Sequence, residues 1–303
     1  MTDHDQRFKN LLKEFFSGFF ELFFSEWAGR FDFTQVEWLD KEIFTDPPQG
    51  ERRYLDLVAR VPVRQVVVLP RGEPAEHWIV LIHVEIESED KVAPLRPRMF
   101  DYYESLRRQH GLPVLPIGLY LRVGLDGTGW DVYEEHFWEH RLLHFEYAYV
   151  GLPALDAEQY ATGENLLGVA LAALMRIPEE RRAELRAEAL KRVLESREND
   201  NRRFLALECI EAYWGLDEAQ RRVFDQLLAS EKYQGVRQMM ATTFERGLER
   251  ARRQDLQILL EEKFGSPSPH VLQRLEAWPA EQLEELFRAA VRAKSLKELG
   301  LED

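Results

Sequence analysis

Apolar residues at the N-terminus recur with the rhythm of a helix that buries one face. Phe8, Leu11, Leu12, Phe15, Phe16, Phe19, Phe20 and Phe23 fall at i, i+3, i+4 and i+7, which predicts a helix over residues 3–26 with this stripe facing a core. The pattern then changes period. QVEWLDKEIF (35–44), RYLDLVARV (53–61), QVVVLP (65–70), EHWIVLIHVEIES (76–88), PIGLYLRV (116–123) and LLHFEYAYV (142–150) are dense in β-branched, aromatic and Leu residues. Turn-forming stretches such as DPPQG and PRGEP separate several of them. A second helix is predicted between Pro97 and His110, in RMFDYYESLRRQH. Helix, strands, helix, strand is an α/β order, with a mixed sheet covered by helices.

From Leu155 onward the strand signal disappears. ENLLGVALAALM, PEERRAELRAEALKRVLES, NRRFLALECIEAYW and DEAQRRVFDQLLAS read as amphipathic helices, with Pro178 and Asp217 placed as helix-start residues. A long periodic stretch follows from Tyr233 to Phe264, stopped by GSPSP, and shorter helices such as PAEQLEELFRAAV finish the chain. The expected organisation is an α/β domain over 1–154, a helical domain over 155–243 and a small helical domain over 244–303, so an α/β half precedes an all-α half.

Composition narrows the function classes. At 303 residues the chain can bury a large core without staples, and an apolar content of 45% fits a globular protein. Acidic residues number 54 against 40 Lys plus Arg, a formal charge of −14. That balance speaks against a uniformly basic surface for nucleic acid or anionic lipid, while leaving room for a focused basic groove. The Arg-rich runs from Arg181 to Arg192 and from Arg246 to Arg253 are interleaved with Glu at helical spacing and read as solvated faces. The single cysteine, Cys209, rules out an intramolecular disulfide and sits on an apolar helical face as a core thiol. The opening MTDHDQRFKN does not read as a signal peptide, and no apolar run is long enough to span a bilayer. A cytoplasmic protein without membrane contact is the expectation.

The candidate chemistry is acidic. On a strand, His83, Glu85 and Glu87 point to one face, and Asp56 lies in the strand-like run before them. Acids on one face of an apolar strand are costly unless something offsets their desolvation and repulsion. Carboxylates converging from neighbouring strands suit a hard divalent cation such as Mg²⁺. On spacing alone, a solvent-exposed sheet edge explains the same acids equally well.

The ordered segments DQRFKNLL, YLDLVARV, IVLIHVEIES and RPRMFDYYESLRRQHGLPVLPIGLYL resemble the Rpn family of recombination-promoting nucleases, often described as transposase-like, in the PD-(D/E)XK nuclease superfamily. The C-terminal LQILLEEKFGSPSPHVLQRLEAWPAEQLEELFRAAVRAKSLKEL is similar to a small helical domain often appended to them. The resemblance implies a restriction-endonuclease-like α/β domain and a Mg²⁺- or Mn²⁺-dependent DNA endonuclease. Catalytic and metal-binding roles then fall to Asp56, Glu85 and Glu87. Asp5 and Lys9 match the family's Asp-x-x-Phe-Lys opening, and Arg98 and Tyr102 its Arg-Met-Phe-x-Tyr segment, as phosphate-contacting or supporting residues. Glu87 departs from the pattern, which has Lys in the superfamily and commonly Gln in this family. Lys9 and Lys91 are the candidates to supply the missing positive charge. Lys9, Lys91, Arg96 and Arg98 are the expected DNA groove. A weakened nuclease fold that binds nucleic acid or another protein is the alternative, favoured by Glu87 and the acidic balance.

Two further expectations complete the reading. His136, Glu139 and His140 match H-x-x-E-H, a zinc-protease pattern that requires one helical face. Met240, Phe244, Leu248, Leu256, Leu259, Leu260 and Phe264 form a stripe along the long C-terminal helix, which suggests a homodimer joined through the helical half.

Overall fold

The computed structural model describes residues 3–39, 43–46, 51–54, 56–64, 79–87, 95–122, 124–279, 282–293 and 295–302. Within these, the side chains of 3–7, 43–46, 51–54, 79–80, 87, 243–248, 250–251 and 254 are not described. The expected strand at 65–70 and the candidate Lys91 lie outside the described residues.

Three short helices, α1 (Asp3–Glu14), α2 (Phe16–Phe23) and α3 (Ser25–Ala28), replace the single N-terminal helix predicted. The chain bends at Phe15 and again at Phe24, where φ and ψ are −138° and 48°. Aromatic packing accounts for the bends, because Phe residues surround this segment on more than one side. Phe16 packs edge-on to Trp38 at 4.8 Å, Phe20 contacts Phe31 and Phe33 at 5.2 and 5.1 Å, and Phe24 stacks on Trp27. The predicted apolar stripe from Phe8 to Phe20 is buried.

The strands are β1 (Glu37–Leu39), β2 (Ile43–Asp46), β3 (Glu51–Tyr54), β4 (Leu57–Pro62), β5 (Ile79–Glu87), β6 (Val114–Tyr120), β7 (Gly127–Phe137) and β8 (His140–Gly151), with helix α4 (Leu95–His110) between β5 and β6. Six of them form one mixed sheet in the order β1-β4-β5-β6-β8-β7, and β2 pairs with β3 in a separate hairpin. β5, β6 and β8 run parallel, and the flanking strands are antiparallel to their neighbours. The run RYLDLVARV therefore splits between β3 and β4, with Asp56 immediately before β4.

Strand alternation divides the sheet into two buried faces. Val58, Leu81, Tyr102 and Leu106 form one cluster beneath α4, and Leu95, Met99, Tyr120, Phe145 and Tyr147 form the next. The oppositely pointing Ile82, Val84, Ile86, Ile117, Leu119, Ala148 and Val150 are buried as well. β7 escaped the sequence reading because its tip is polar and exposed on both faces, so neither period 2 nor an apolar run marks it.

The helices that follow are α5 (Ala157–Ala161), α6 (Leu166–Leu171), α7 (Arg182–Glu195), α8 (Asp200–Tyr213) and α9 (Glu218–Leu228). Side-chain caps start several of them: Asn165 for α6, Asn199 for α8, and a reciprocal Asp217–Gln220 capping box for α9. The expected break near residue 154 is not a break between compact units, since Met1–Gln234 form one. Contacts across that point explain it: Asn165 Nδ2 donates to Gly18 O at 3.0 Å, Arg202 donates to Glu14 O at 2.8 Å, and Phe8 packs against Tyr213.

The second unit comprises Gly235–Asp303. It holds α10 (Val236–Phe264), α11 (Pro269–Glu276) and α12 (Leu283–Arg292). Gly265, at φ 85°, ends α10 in a backbone region that only glycine enters readily, and Ser268 caps α11 ahead of Pro269. Leu256 and Leu260 of the expected dimer stripe are fully buried inside this unit, and Leu259 and Phe264 pack against the same core. The side chains of Phe244 and Leu248 lie outside the described residues. Among the described residues no helix is long and apolar enough to cross a membrane.

Candidate active site

The antiparallel register pairs Leu57 with Val84, so the residue before β4 lies beside Glu85 on β5. Asp56 occupies that place, and its Oδ2 accepts the backbone N–H of Ile86 at 2.8 Å. Its Oδ1 lies 2.8 Å from Lys9 Nζ, with the two side chains 6% and 8% exposed. Lys9 is held there by its helix, because Phe8, Leu11 and Leu12 of α1 are buried around it. Asp5 lies one turn earlier on α1, and its side chain is outside the described residues.

Glu85 is 2% exposed. Its Oε1 accepts from Arg98 Nη2 at 2.9 Å, and its Oε2 lies 3.3 Å from His83 Nε2. An ionised carboxylate only accepts, so a neutral His83 carries its proton on Nε2 and leaves Nδ1 as an acceptor. Nδ1 is buried and has no hydrogen-bond partner among the described residues. Tyr102 lies one helical turn beyond Arg98 and meets the His83 ring edge-on at 5.5 Å. The helical spacing of Arg98 and Tyr102 thus sets one residue on the carboxylate and the other on the histidine that contacts it.

Glu87 belongs to β5 and pairs in parallel register with Tyr120, while its side chain lies outside the described residues. Among the described residues, no group of three or more His, Cys, Asp or Glu is arranged to hold a metal. The described centre is two carboxylates matched by two cations. Such buried pairs hold their geometry firmly, since removing either partner strands a charge in a low-dielectric interior.

The remaining candidates stand elsewhere. The expected DNA groove is not assembled from free surface cations: Lys9 and Arg98 are buried on Asp56 and Glu85, and Arg96 forms a bidentate pair with Asp131 at 2.8 and 2.9 Å. Sequence reasoning missed the polar cluster that Arg96 joins. Tyr147 donates to Asp131 at 2.5 Å and lies 3.3 Å from Tyr120, so Asp131 ties β7 to α4. Burial and the neighbouring Asp131 push the Tyr147 phenol far above its usual range. Alternation of Asp131, Tyr147 and Tyr120 onto one sheet face was the available signal, but β7 had first to be recognised as a strand.

The zinc-protease pattern is overturned by its setting. His136 is the penultimate residue of β7, Glu139 lies in the turn and His140 begins β8, so no helical face unites them. Phe137 pairs with His140 across a two-residue turn whose first residue, Trp138, has φ 55°. Cys209 is buried as expected. Its thiol donates to Ala170 O, and burial pushes it up to about 12, far from a reactive thiolate.

No family model matches the chain, and no curated protein or solved structure is detectably similar to it.

Proposed function

We propose that this chain is a divalent-metal-dependent DNA endonuclease with a PD-(D/E)XK-type site and a likeness to the recombination-promoting nucleases. One observation carries the reading. Asp56 and Glu85 meet at neighbouring ends of two central strands, each carboxylate held in a fixed orientation by a buried cation.

The donor set fits a hard cation. Both acids are oxygen donors, the ligand type that a hard cation takes, and the strand register sets them side by side. Asp56 and Glu85 would hold the ion, with Glu87, two residues further along β5, as the third acid of the proposal. Bound there, Mg²⁺ or Mn²⁺ supplies activation of the water nucleophile and charge against the phosphate. Arg98 and His83 hold Glu85 in one rotamer, and the Ile86 N–H does the same for Asp56. In hydrolysis the water oxygen bonds to phosphorus, the P–O bond to the leaving strand breaks, and the leaving oxygen takes a proton. A cytoplasmic location and a homodimer that addresses both strands belong to the same proposal.

The test is supercoiled plasmid incubated with full-length protein in Mg²⁺ or Mn²⁺, in EDTA, and with Asp56→Ala or Glu85→Ala. Metal-dependent nicking lost in both variants supports the reading. A second reading, a fold that binds without cutting, is favoured by the charge balance of the two pairs, because Lys9 and Arg98 already neutralise the two acids. Retention of DNA in a mobility-shift assay, with the plasmid left intact, selects it.

A further inference from the structure

The β7–β8 hairpin outruns the sheet that supports it. Among the described residues β8 pairs with β6 only over Ala148–Gly151, while its pairing with β7 continues to Phe137 and His140 at the turn. Tyr133 and Phe145 still pack on Phe100 of α4, at 5.9 and 5.5 Å, and Phe145 meets Tyr103 at 5.0 Å. Beyond them residues 134–142 are all exposed, and a two-stranded ribbon of this kind is marginal in water. The register also shifts between Glu135 and His136, and Trp138 turns the chain at φ 55°, a region costly for a bulky side chain. The tip lies beyond the amino-terminal ends of the parallel strands, whereas Asp56 and Glu85 meet toward the carboxyl end of β5.

A charge network spans the two strands at this tip. Glu134 and His144 face each other in the register, and Glu134 Oε1 lies 2.6 Å from His144 Nδ1. The second ring nitrogen, Nε2, lies 3.2 Å from Glu146 Oε1. A neutral imidazole has one donor nitrogen and one acceptor, so it turns a lone pair toward one of these carboxylates. Only the imidazolium donates to both. Arg141 Nη1 donates to the same Glu134 oxygen at 2.9 Å and stands 3.3 Å from His144 Nδ1, where its charge works against protonation. His136 Nε2 approaches Glu134 Oε2 at 3.9 Å, and Glu135, the next acid on β7, accepts from Tyr133 Oη instead. The carboxylates prevail over Arg141, and bonding to Glu134 and then to Glu146 raises His144 above its ordinary value. His144 and then Arg141 hold the Glu134 carboxyl below its usual range, so it stays ionised around neutrality.

We propose that the hairpin tip is a proton-operated clasp. The His144 imidazolium bridges Glu134 across the strands and Glu146 along β8, and loss of its proton to water releases the tip. The nitrogen that gives up the proton then faces a carboxylate with a lone pair. The clasp is closed below about pH 6.5, the ordinary value for histidine, and opens as pH rises through the raised one. On the acid side it fixes the placement of Phe137, Trp138 and Leu142, the exposed apolar side chains at and beside the turn.

Amide hydrogen exchange on the full-length protein reads the tip directly. Peptides covering 134–144 are followed by mass spectrometry between about pH 6 and 8, with rates corrected for intrinsic exchange and a peptide within Val114–Tyr120 as reference. Protection of the tip should fall roughly threefold or more across that range while the reference stays constant. His144→Gln keeps a hydrogen-bond donor but no titrating charge, so its tip should be weakly protected throughout and show no slope. Glu146→Gln removes one of the two bridged acids and should leave a reduced slope. Salt at about 1 M should cut the wild-type response by roughly half or more, because the pairs are exposed. A tip whose protection ignores pH while the His144 ring titrates in NMR would overturn the clasp. So would protection that rises with pH, or a His144→Gln chain that keeps the wild-type slope. The pH and salt arms use the wild-type chain and so do not depend on a variant folding.

Discussion

Arg98→Met isolates what the buried charge network contributes to stability. Arg98 Nη2 lies 2.9 Å from Glu85 Oε1, with the side chains 10% and 2% exposed, so solvent screens the pair little. At an effective dielectric near 20 the gross attraction is about 6 kcal/mol, most of it offset by the desolvation of both groups. Removing only the guanidinium leaves the carboxylate without that partner, at a cost of about 3–5 kcal/mol. Methionine fills the volume of the Arg stem, so lost packing adds little. For a unit the size of Met1–Gln234 each kcal/mol shifts Tm by roughly 2–4 °C, giving an expected fall of about 6–20 °C. Glu85→Gln in the same background removes the stranded charge, and most of the loss should return. The pairwise coupling from the complete double-mutant cycle should be at least about 2 kcal/mol. Scanning calorimetry on the full chain measures the shifts, and amide exchange along β5 identifies the transition to which the site belongs. A single-variant loss under about 1 kcal/mol, or two losses that simply add, would refute the view that these charges are held together in a dry interior.

Two further expectations test the frame around the site. A Cβ at Gly151 would lie 1.7 Å from Leu125 O and under 3 Å from two more backbone atoms, so Gly151→Ala should cost roughly 3 kcal/mol, and a Tm unchanged by calorimetry would show that the β6–β7 connection yields freely. At the exposed hairpin, hydrogen bonding to Glu134 and then to Glu146 raises His144 above its ordinary 6.5, so the interaction is fully present below that value and is lost as pH rises through the raised one. Glu134→Gln should move the His144 midpoint down in an NMR titration, and a midpoint that stays put removes Glu134 as the cause.

Much of the architecture was legible because it follows from local periodicity. The i, i+3, i+4 stripe from Phe8 to Phe20, the β-branched run of β5 and the Asp217 cap each report their own element, and each needs only neighbours in sequence. The bends at Phe15 and Phe24 were not legible, because they answer to rings on Phe31, Phe33 and Trp38 rather than to the helix itself. The H-x-x-E-H pattern misled for a related reason. Its spacing has chemical meaning only on a helix, and the long β7–β8 pairing decides otherwise.

The candidate site divides along the same line. Sequence alone placed His83 and Glu85 on one strand face and set Arg98 and Tyr102 one helical turn apart, since a strand's period of two and a helix's of 3.6 are properties of the backbone. Only the tertiary structure brought Asp56 beside Glu85, through a register that hydrogen bonds between strands fix. Only it set Lys9 on Asp56 and Arg98 on Glu85. Sequence read these cations as a surface groove for DNA. Burial turned them into counter-ions, because a carboxylate taken out of water costs too much unless a charge of opposite sign accompanies it.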